Sequence, residues 1–132
     1  QERVADAPLA SEVETWLYEP NTSILKGGAY RSLAFAYDVK KLHASSHLYT
    51  SARFIEDFPG RTFRVDTVCG FSKKELKDLM LGMEKANLTI RNFPSSVAEL
   101  RKRLKLKEGG DVYLFATTLS QGQKVLIKCS RP

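Results

Sequence analysis

Hydrophobic and polar residues alternate with a period of two in several short segments of this chain, which is the pattern of half-buried strands. Within residues 61–68, Phe63 and Val65 face one way, and the charged residues beside them face the other. This is the clearest of six predicted strands. They cover residues 13–18, 47–51, 61–68, 86–93, 112–119 and 124–129.

Three other segments carry helical signals. Asn21 or Thr22 can cap a helix that runs to about residue 38, although the pair Gly27-Gly28 within it costs about 2 kcal/mol relative to alanines. The other two helices begin with capping boxes, in which a serine and a glutamate three residues later satisfy free backbone N–H groups at the helix start. These boxes are Ser72–Glu75 and Ser96–Glu99.

The order of these elements predicts an α+β fold. The first six read β-α-β-β-α-β, which matches the split β-α-β pattern of ferredoxin-like folds, and α-β-β follows them. The last two strands form a hairpin around residues 120–123. The 132 residues suit one domain, or two small lobes that share a core, with a seam near residue 55. Residues 1–12 lack periodicity and are interpreted as a leader or linker remnant.

The positive charge is concentrated in the second part of the chain. The net charge is +6, divided into −1 over residues 1–52 and +7 over residues 53–132. Such a balance indicates either a solubilising surface or a polyanion partner, most plausibly nucleic acid. No apolar run approaches the roughly 20 residues of a membrane span, and no signal peptide is expected. Because the first residue is Gln1 rather than Met, we expect a fragment of a longer protein.

The residue types of catalytic and metal sites are sparse. His43 and His47 lie four apart but precede a strand, so a shared zinc site or a hydrolase built on them is the minor alternative. The carboxylates of the first strand, including Glu14 and Glu19, are predicted to point to solvent. Cys69 and Cys129 are expected to be reduced, packed thiols of a cytosolic protein. We predict no catalytic residue, metal or cofactor within this chain.

Basic residues instead mark a candidate phosphate-binding surface. Arg91 and Asn92 come at the end of a strand that Pro94 stops, and a helix with a basic flank begins directly afterwards. Arginine offers a planar fork that matches phosphate, and lysine a flexible positive charge. The predicted RNA-binding residues are Lys26, Arg61, Arg91, Asn92, Arg101, Lys102 and Lys105. Nearby aromatic rings that could stack on unpaired bases are Tyr49, Phe54, Phe58 and Phe93.

Several short motifs occur together along nearly the whole chain. Among them are Trp16-Leu-Tyr-Glu-Pro-Asn21, Phe58-Pro-Gly-Arg61, Arg91-Asn-Phe-Pro94 and Tyr113-Leu-Phe-Ala-Thr117. In this order, over residues 13–132, they resemble the C-terminal region of bacterial class I SAM-dependent methyltransferase-like proteins. The resemblance implies a ferredoxin-like segment over residues 13–55 and a THUMP-like domain over residues 56–132, packed as one unit.

The resemblance also implies a role. THUMP domains bind RNA and present it to an attached modifying domain, so we expect a non-catalytic substrate-capture module for structured RNA. S-adenosylmethionine would belong to a methyltransferase domain upstream in the same, cytoplasmic protein. The alternative is a structural or interaction module that packs on that upstream domain without touching RNA.

Overall fold

The computed structural model describes residues 8–26 and 30–132, and it leaves the side chains of residues 26 and 30–32 undescribed. The described chain alternates strands and helices. The strands are β1 (Trp16–Pro20), β2 (Lys40–Lys41), β3 (Tyr49–Ser51), β4 (Gly60–Cys69), β5 (Asn87–Arg91), β6 (Tyr113–Thr118) and β7 (Lys124–Ser130). The helices are α1 (Thr22–Lys26), α2 (Tyr30–Tyr37), α3 (Lys73–Met80) and α4 (Val97–Leu104). This content confirms the α+β fold class.

The described strands form one seven-stranded sheet in the order β2-β3-β1-β4-β7-β6-β5. Neighbouring strands are antiparallel except β5 and β6, which are parallel. Because β4 pairs with β1 on one side and β7 on the other, the N-terminal and C-terminal parts of the chain share a continuous sheet.

The helices cover one face of this sheet. Leu100 and Leu104 of α4 pack with Leu114 of β6, and Leu33 of α2 packs with Tyr18 of β1. On the opposite face, Leu17 and other side chains form a separate core. None of the four described helices covers that second core. It is closed by connecting segments, whose contributing residues are Ala10, Leu42, Leu48 and Leu119.

The segment interpreted as a leader includes residues that pack on the sheet. Leu9 forms a parallel bridge with Lys41, and Ala10 is buried. The Ser120 hydroxyl donates a 3.0 Å hydrogen bond to the carbonyl of Ala10. Residues 8–10 therefore belong to the folded body, whereas residues 1–7 lie outside the described part.

The first strand lies later in the chain than predicted. It was predicted over residues 13–18 but covers Trp16–Pro20, and its last residue, Pro20, pairs with Gly60. Pairing with β3 reaches only Tyr18, so no described strand meets the missing N–H of this proline. Close strand approach explains the glycine, because a Cβ at Gly60 would collide with the Glu19 carbonyl oxygen.

The local signals of the C-terminal part are confirmed. Both capping serines accept hydrogen bonds from the predicted glutamate N–H groups, at 3.2 Å for Ser72 and 3.0 Å for Ser96. The hairpin turn forms where Gly122, with φ of 93°, donates to the Leu119 carbonyl. The first predicted helix is described as α1 and α2. The Gly27-Gly28 pair between them lies outside the described residues.

No helix in the described part of the chain combines the length and apolar character needed to cross a bilayer.

Candidate nucleic-acid interface

Two of the predicted phosphate-binding arginines contact one carboxylate. Arg61 lies opposite Glu19 in the β1–β4 pairing, and its guanidinium contacts Glu19 Oε1 at 2.5 and 3.0 Å. Arg91, from the far edge strand, contacts Glu19 Oε2 at 2.6 Å. The Glu19 side chain is only 13% exposed, so the prediction that it points to solvent is wrong. The alternation of residues in the strand predicted on which face of the sheet Glu19 lies. It could not show that the sheet curves, so that Arg61 and Arg91 cover Glu19 on that face.

The basic flank of α4 divides into engaged and unengaged side chains. Arg101 is 19% exposed, donates to the Ala86 carbonyl at 3.2 Å and lies 3.8 Å from Glu108. It therefore ties the end of α4 to the residue before β5. Lys102 and Lys105 are exposed, and neither forms an ion pair with another described residue.

The predicted cations lie on both faces of the sheet. Ile90 packs in the core under α4, so the next side chain, Arg91, points to the other face, where Arg61 and Glu19 meet. Arg101, Lys102 and Lys105 lie on the helical side. The structure thus brings Arg61 and Arg91 together, and it separates them from the α4 group. The side chain of Lys26, the last residue of α1, is outside the described part.

An open cleft of about 520 Å³ lies where β5 ends. Its lining residues are Asn92, Phe93, Pro94, Thr118 and Lys124. Asn92 adopts a left-handed conformation with φ of 55°, and its carbonyl accepts a 2.7 Å hydrogen bond from Thr118 Oγ1. Lys124, the first residue of β7, was not among the predicted site residues. In the sequence, the only indication that Lys124 could belong to a site was its position directly after the hairpin turn, and many surface lysines have such a position.

A short column of side chains stands beside this cleft. The rings of Phe93 and Phe71 stack at 5.1 Å with an interplanar angle of 29°. The Arg103 guanidinium lies 5.4 Å from the centroid of Phe71. Arg103 therefore adds positive charge on the helical side of the sheet, over the ring of Phe71.

The other candidate aromatics have packing roles. Tyr49 and Phe58 are buried in the core under α2. Phe54 is 41% exposed, but its ring packs edge-on against Trp16 at 4.8 Å. Among the four predicted stacking residues, Phe93 alone lines the described cleft.

The two histidines lie in or next to the connection that precedes β3. His43 Nδ1 accepts a hydrogen bond from the Ser45 N–H, and in the same connection Ser46 Oγ accepts one from the Leu48 N–H. The side chains of His43 and Ser46 therefore stabilise this connection. Burial and then the charge of Lys41 lower the pKa of His47. Across residues 8–26 and 30–132 there is no cluster of three metal-ligating side chains.

Cys69 and Cys129 are free thiols on neighbouring strands. Cys69 lies opposite Leu126, and Cys129 lies opposite Val65. Along β7 the two positions are three residues apart, about 10 Å, which exceeds the roughly 7 Å limit between the Cα atoms of a disulfide. Burial, and then Asp66, raises the pKa of Cys129 to about 12.

The glycine pair Gly109-Gly110 is not placed like a glycine-rich loop that binds a nucleotide cofactor such as S-adenosylmethionine. Gly109 and Gly110 both have positive φ, but they follow α4 and precede β6. A glycine-rich cofactor loop would instead follow a strand and open a helix. We therefore derive no chemical step through such a cofactor from this chain.

Comparisons with known proteins agree with this architecture. A family model described as THUMP domain-like matches residues 60–131, and one described as a ferredoxin-like domain matches residues 16–59. This chain belongs to the THUMP domain-like family. The THUMP-like match begins at Gly60, the first residue of β4, so the Glu19 contacts with Arg61 and Arg91 join the two matched regions.

The THUMP-like chain also matches a solved structure. It is 39% identical to a protein from Porphyromonas gingivalis W83, described as a "putative methyltransferase", with a TM-score of 0.87. The match covers 96% of this chain and 32% of that protein. No curated protein matches. Together with the two family models, this match associates the chain with a methyltransferase.

Proposed function

We propose that this chain captures structured RNA for a SAM-dependent methyltransferase domain in the same bacterial, cytoplasmic protein. The observation that carries the proposal is the set of exposed cations of α4 and of the cleft that no described carboxylate neutralises. These are Lys102, Arg103, Lys105 and Lys124. Phosphate contacts of this kind supply the sequence-independent part of RNA affinity and fix the orientation of the bound strand.

Chemistry is assigned to the upstream domain. This chain positions RNA, and S-adenosylmethionine bound upstream supplies the methyl group. The proposal differs from the expectation drawn from the sequence in its residues. Arg61 and Arg91 are assigned to holding the sheet in its curved form, and Arg101 to tying α4 to the residue before β5. Lys124 and Arg103 join the phosphate-binding group, and Lys26 is left out because its side chain is outside the described part.

A structural module that packs on the upstream domain is the second candidate. The paired state of Arg61 and Arg91 favours it, because those arginines already have a structural use. In that case the α4 cations would pair with acidic residues of the upstream domain, and the chain would have no affinity for RNA.

Nuclear magnetic resonance can separate the two. We expect an RNA hairpin, added to the ¹⁵N-labelled 132-residue chain, to shift amide signals along α4 and around Asn92 and Lys124. Signals of α2, on the other end of the sheet, serve as the internal control and should stay in place. Hairpin addition without shifts along α4 would contradict RNA capture and favour the structural module.

A further inference from the structure

We propose that the cleft at the end of β5 seats one unpaired nucleotide, with its base stacked on Phe93 and its phosphate bound by Lys124. This inference rests on the proposed function and assigns it a substrate feature, a single-stranded nucleotide next to the helical stem that α4 holds. The volume of about 520 Å³ lies within the roughly 300–1,000 Å³ typical of small-ligand sites.

The Phe93 ring has one stacked neighbour and also borders the cleft. Phe71 stacks on Phe93, and Arg103 lies over Phe71. Phe93 is half-buried and is one of the residues that line the cleft, so part of its side chain is accessible from that space. A base entering the cleft would extend the column by one ring. Stacking of this kind tolerates any base, since every base has a flat face.

The polar groups of the cleft suit the rest of a nucleotide. Lys124 is exposed and forms no ion pair with a described residue, so its ammonium is available to a phosphate. The Asn92 side chain makes no hydrogen bond within the described part of the chain, and its amide can both donate and accept. The Thr118 hydroxyl fixes the carbonyl of Asn92 and so holds this strained residue at the rim.

An unpaired nucleotide fits this arrangement better than a duplex. Bases inside an A-form helix are already stacked on each other and present only their edges. A ring face such as that of Phe93 can be covered only by a base that has left the stack. The cleft therefore predicts a preference for single-stranded RNA that the cations of α4 alone would not produce.

Fluorescence anisotropy with two labelled probes tests the proposal. One probe is a single-stranded adenosine octamer, and the other is a blunt-ended RNA duplex made of two strands, which has no unpaired nucleotide. We expect Phe93→Leu to weaken octamer binding about tenfold, because one base would no longer stack on an aromatic ring, and to change duplex binding less than twofold. Lys124→Gln should also weaken octamer binding. The matched controls are Phe54→Leu, a comparably exposed ring elsewhere, and Lys107→Gln, at the opposite end of β5.

The outcomes distinguish this inference from the function on which it rests. Equal octamer affinities for Phe93→Leu and Phe54→Leu, or no octamer binding by the unsubstituted chain, would overturn the nucleotide seat. Absence of duplex binding would overturn capture of structured RNA, and the octamer measurements would then test the nucleotide seat alone. Leucine keeps an apolar contact with Phe71, and Lys124→Gln, at an exposed position, tests the seat without disturbing the packing.

Discussion

Glu19 and Arg91 are joined by a 2.6 Å contact although three strands of the described sheet, β4, β7 and β6, lie between their own strands. The sheet must therefore curve until its edge strand reaches back over β1. Arg61 completes the arrangement from the neighbouring strand. One carboxylate thus joins the ferredoxin-like region to two points of the THUMP-like region.

This relationship predicts energetic coupling between distant residues. Glu19→Gln should lower the free energy of unfolding by about 1–2 kcal/mol, a value reduced from that of a buried pair because both arginines are nearly half exposed. Arg91→Gln should cost less. Urea denaturation of the single and double variants should give a coupling energy of about 0.5–1 kcal/mol.

The exposed pair Arg53–Asp38 is the matched control for this cycle. Its atoms lie 3.7 Å apart, and its side chains are 73% and 90% exposed, so its coupling energy should be close to zero. Additive effects of Glu19→Gln and Arg91→Gln would show that the contact does not hold the curved sheet.

The two thiols should differ in reactivity. The pKa of Cys129 is raised to about 12, mainly by burial, so at pH 8 almost none of it is the reactive thiolate. Burial and then Glu75 also raise the pKa of Cys69, but Cys69 is only partly buried. With a thiol reagent at pH 8, we expect Cys69 to react first and a Cys69→Ser variant to react only as fast as the chain unfolds. Rapid modification of that variant would contradict the buried position of Cys129.

The two capping boxes predict a contribution to acid sensitivity. Hydrogen bonds from Gly70 and Ser72 lower the pKa of Glu75, and hydrogen bonds from Ser96 lower that of Glu99, below the ordinary 4.5. The stabilisation is complete above pH 4.5 and is lost as the pH falls through each lowered value. Glu99→Gln keeps a hydrogen-bonding cap without titrating. Between pH 5 and pH 3, the free energy of unfolding of the Glu99→Gln variant should therefore fall less steeply than that of the unsubstituted chain.

The melting temperature of each variant, measured at several pH values between 5 and 3, tests this prediction. Glu56→Gln removes an exposed carboxylate outside both boxes and serves as the control. If the melting temperatures of Glu99→Gln and of the unsubstituted chain fall equally steeply with pH, the Ser96–Glu99 capping box is not formed as described.

Local sequence signals predicted local structure well. The Ser-x-x-Glu spacing identified both helix starts, because a capping box is complete within four residues. The turn residues 120–123 between the strand segments 112–119 and 124–129 likewise located the hairpin, whose two strands are neighbours in the chain. Capping boxes and hairpins depend on contacts between residues that are close together along the chain.

The candidate site depended on contacts that the sequence does not place together. Arg91 and Glu19 are 72 positions apart, and their meeting follows from the curvature of the whole sheet. Lys124 reaches the cleft because β7 lies next to β6, whose Thr118 holds Asn92. Charge density indicated a polyanion partner, but it could not show which cations are neutralised after folding.

The salt dependence of RNA hairpin binding tests the central claim most directly. Removing one cation that binds a phosphate should flatten the plot of log affinity against log salt by about one unit of slope. We predict that Lys102→Gln with Lys105→Gln reduces the slope by about two. Arg61→Gln with Arg91→Gln should leave it nearly unchanged, since Glu19 already binds both guanidinium groups. A larger decrease in slope for the Arg61 and Arg91 variant than for the Lys102 and Lys105 variant would contradict the assignment of α4 as the RNA-binding surface. The absence of hairpin binding even at low salt would also contradict it.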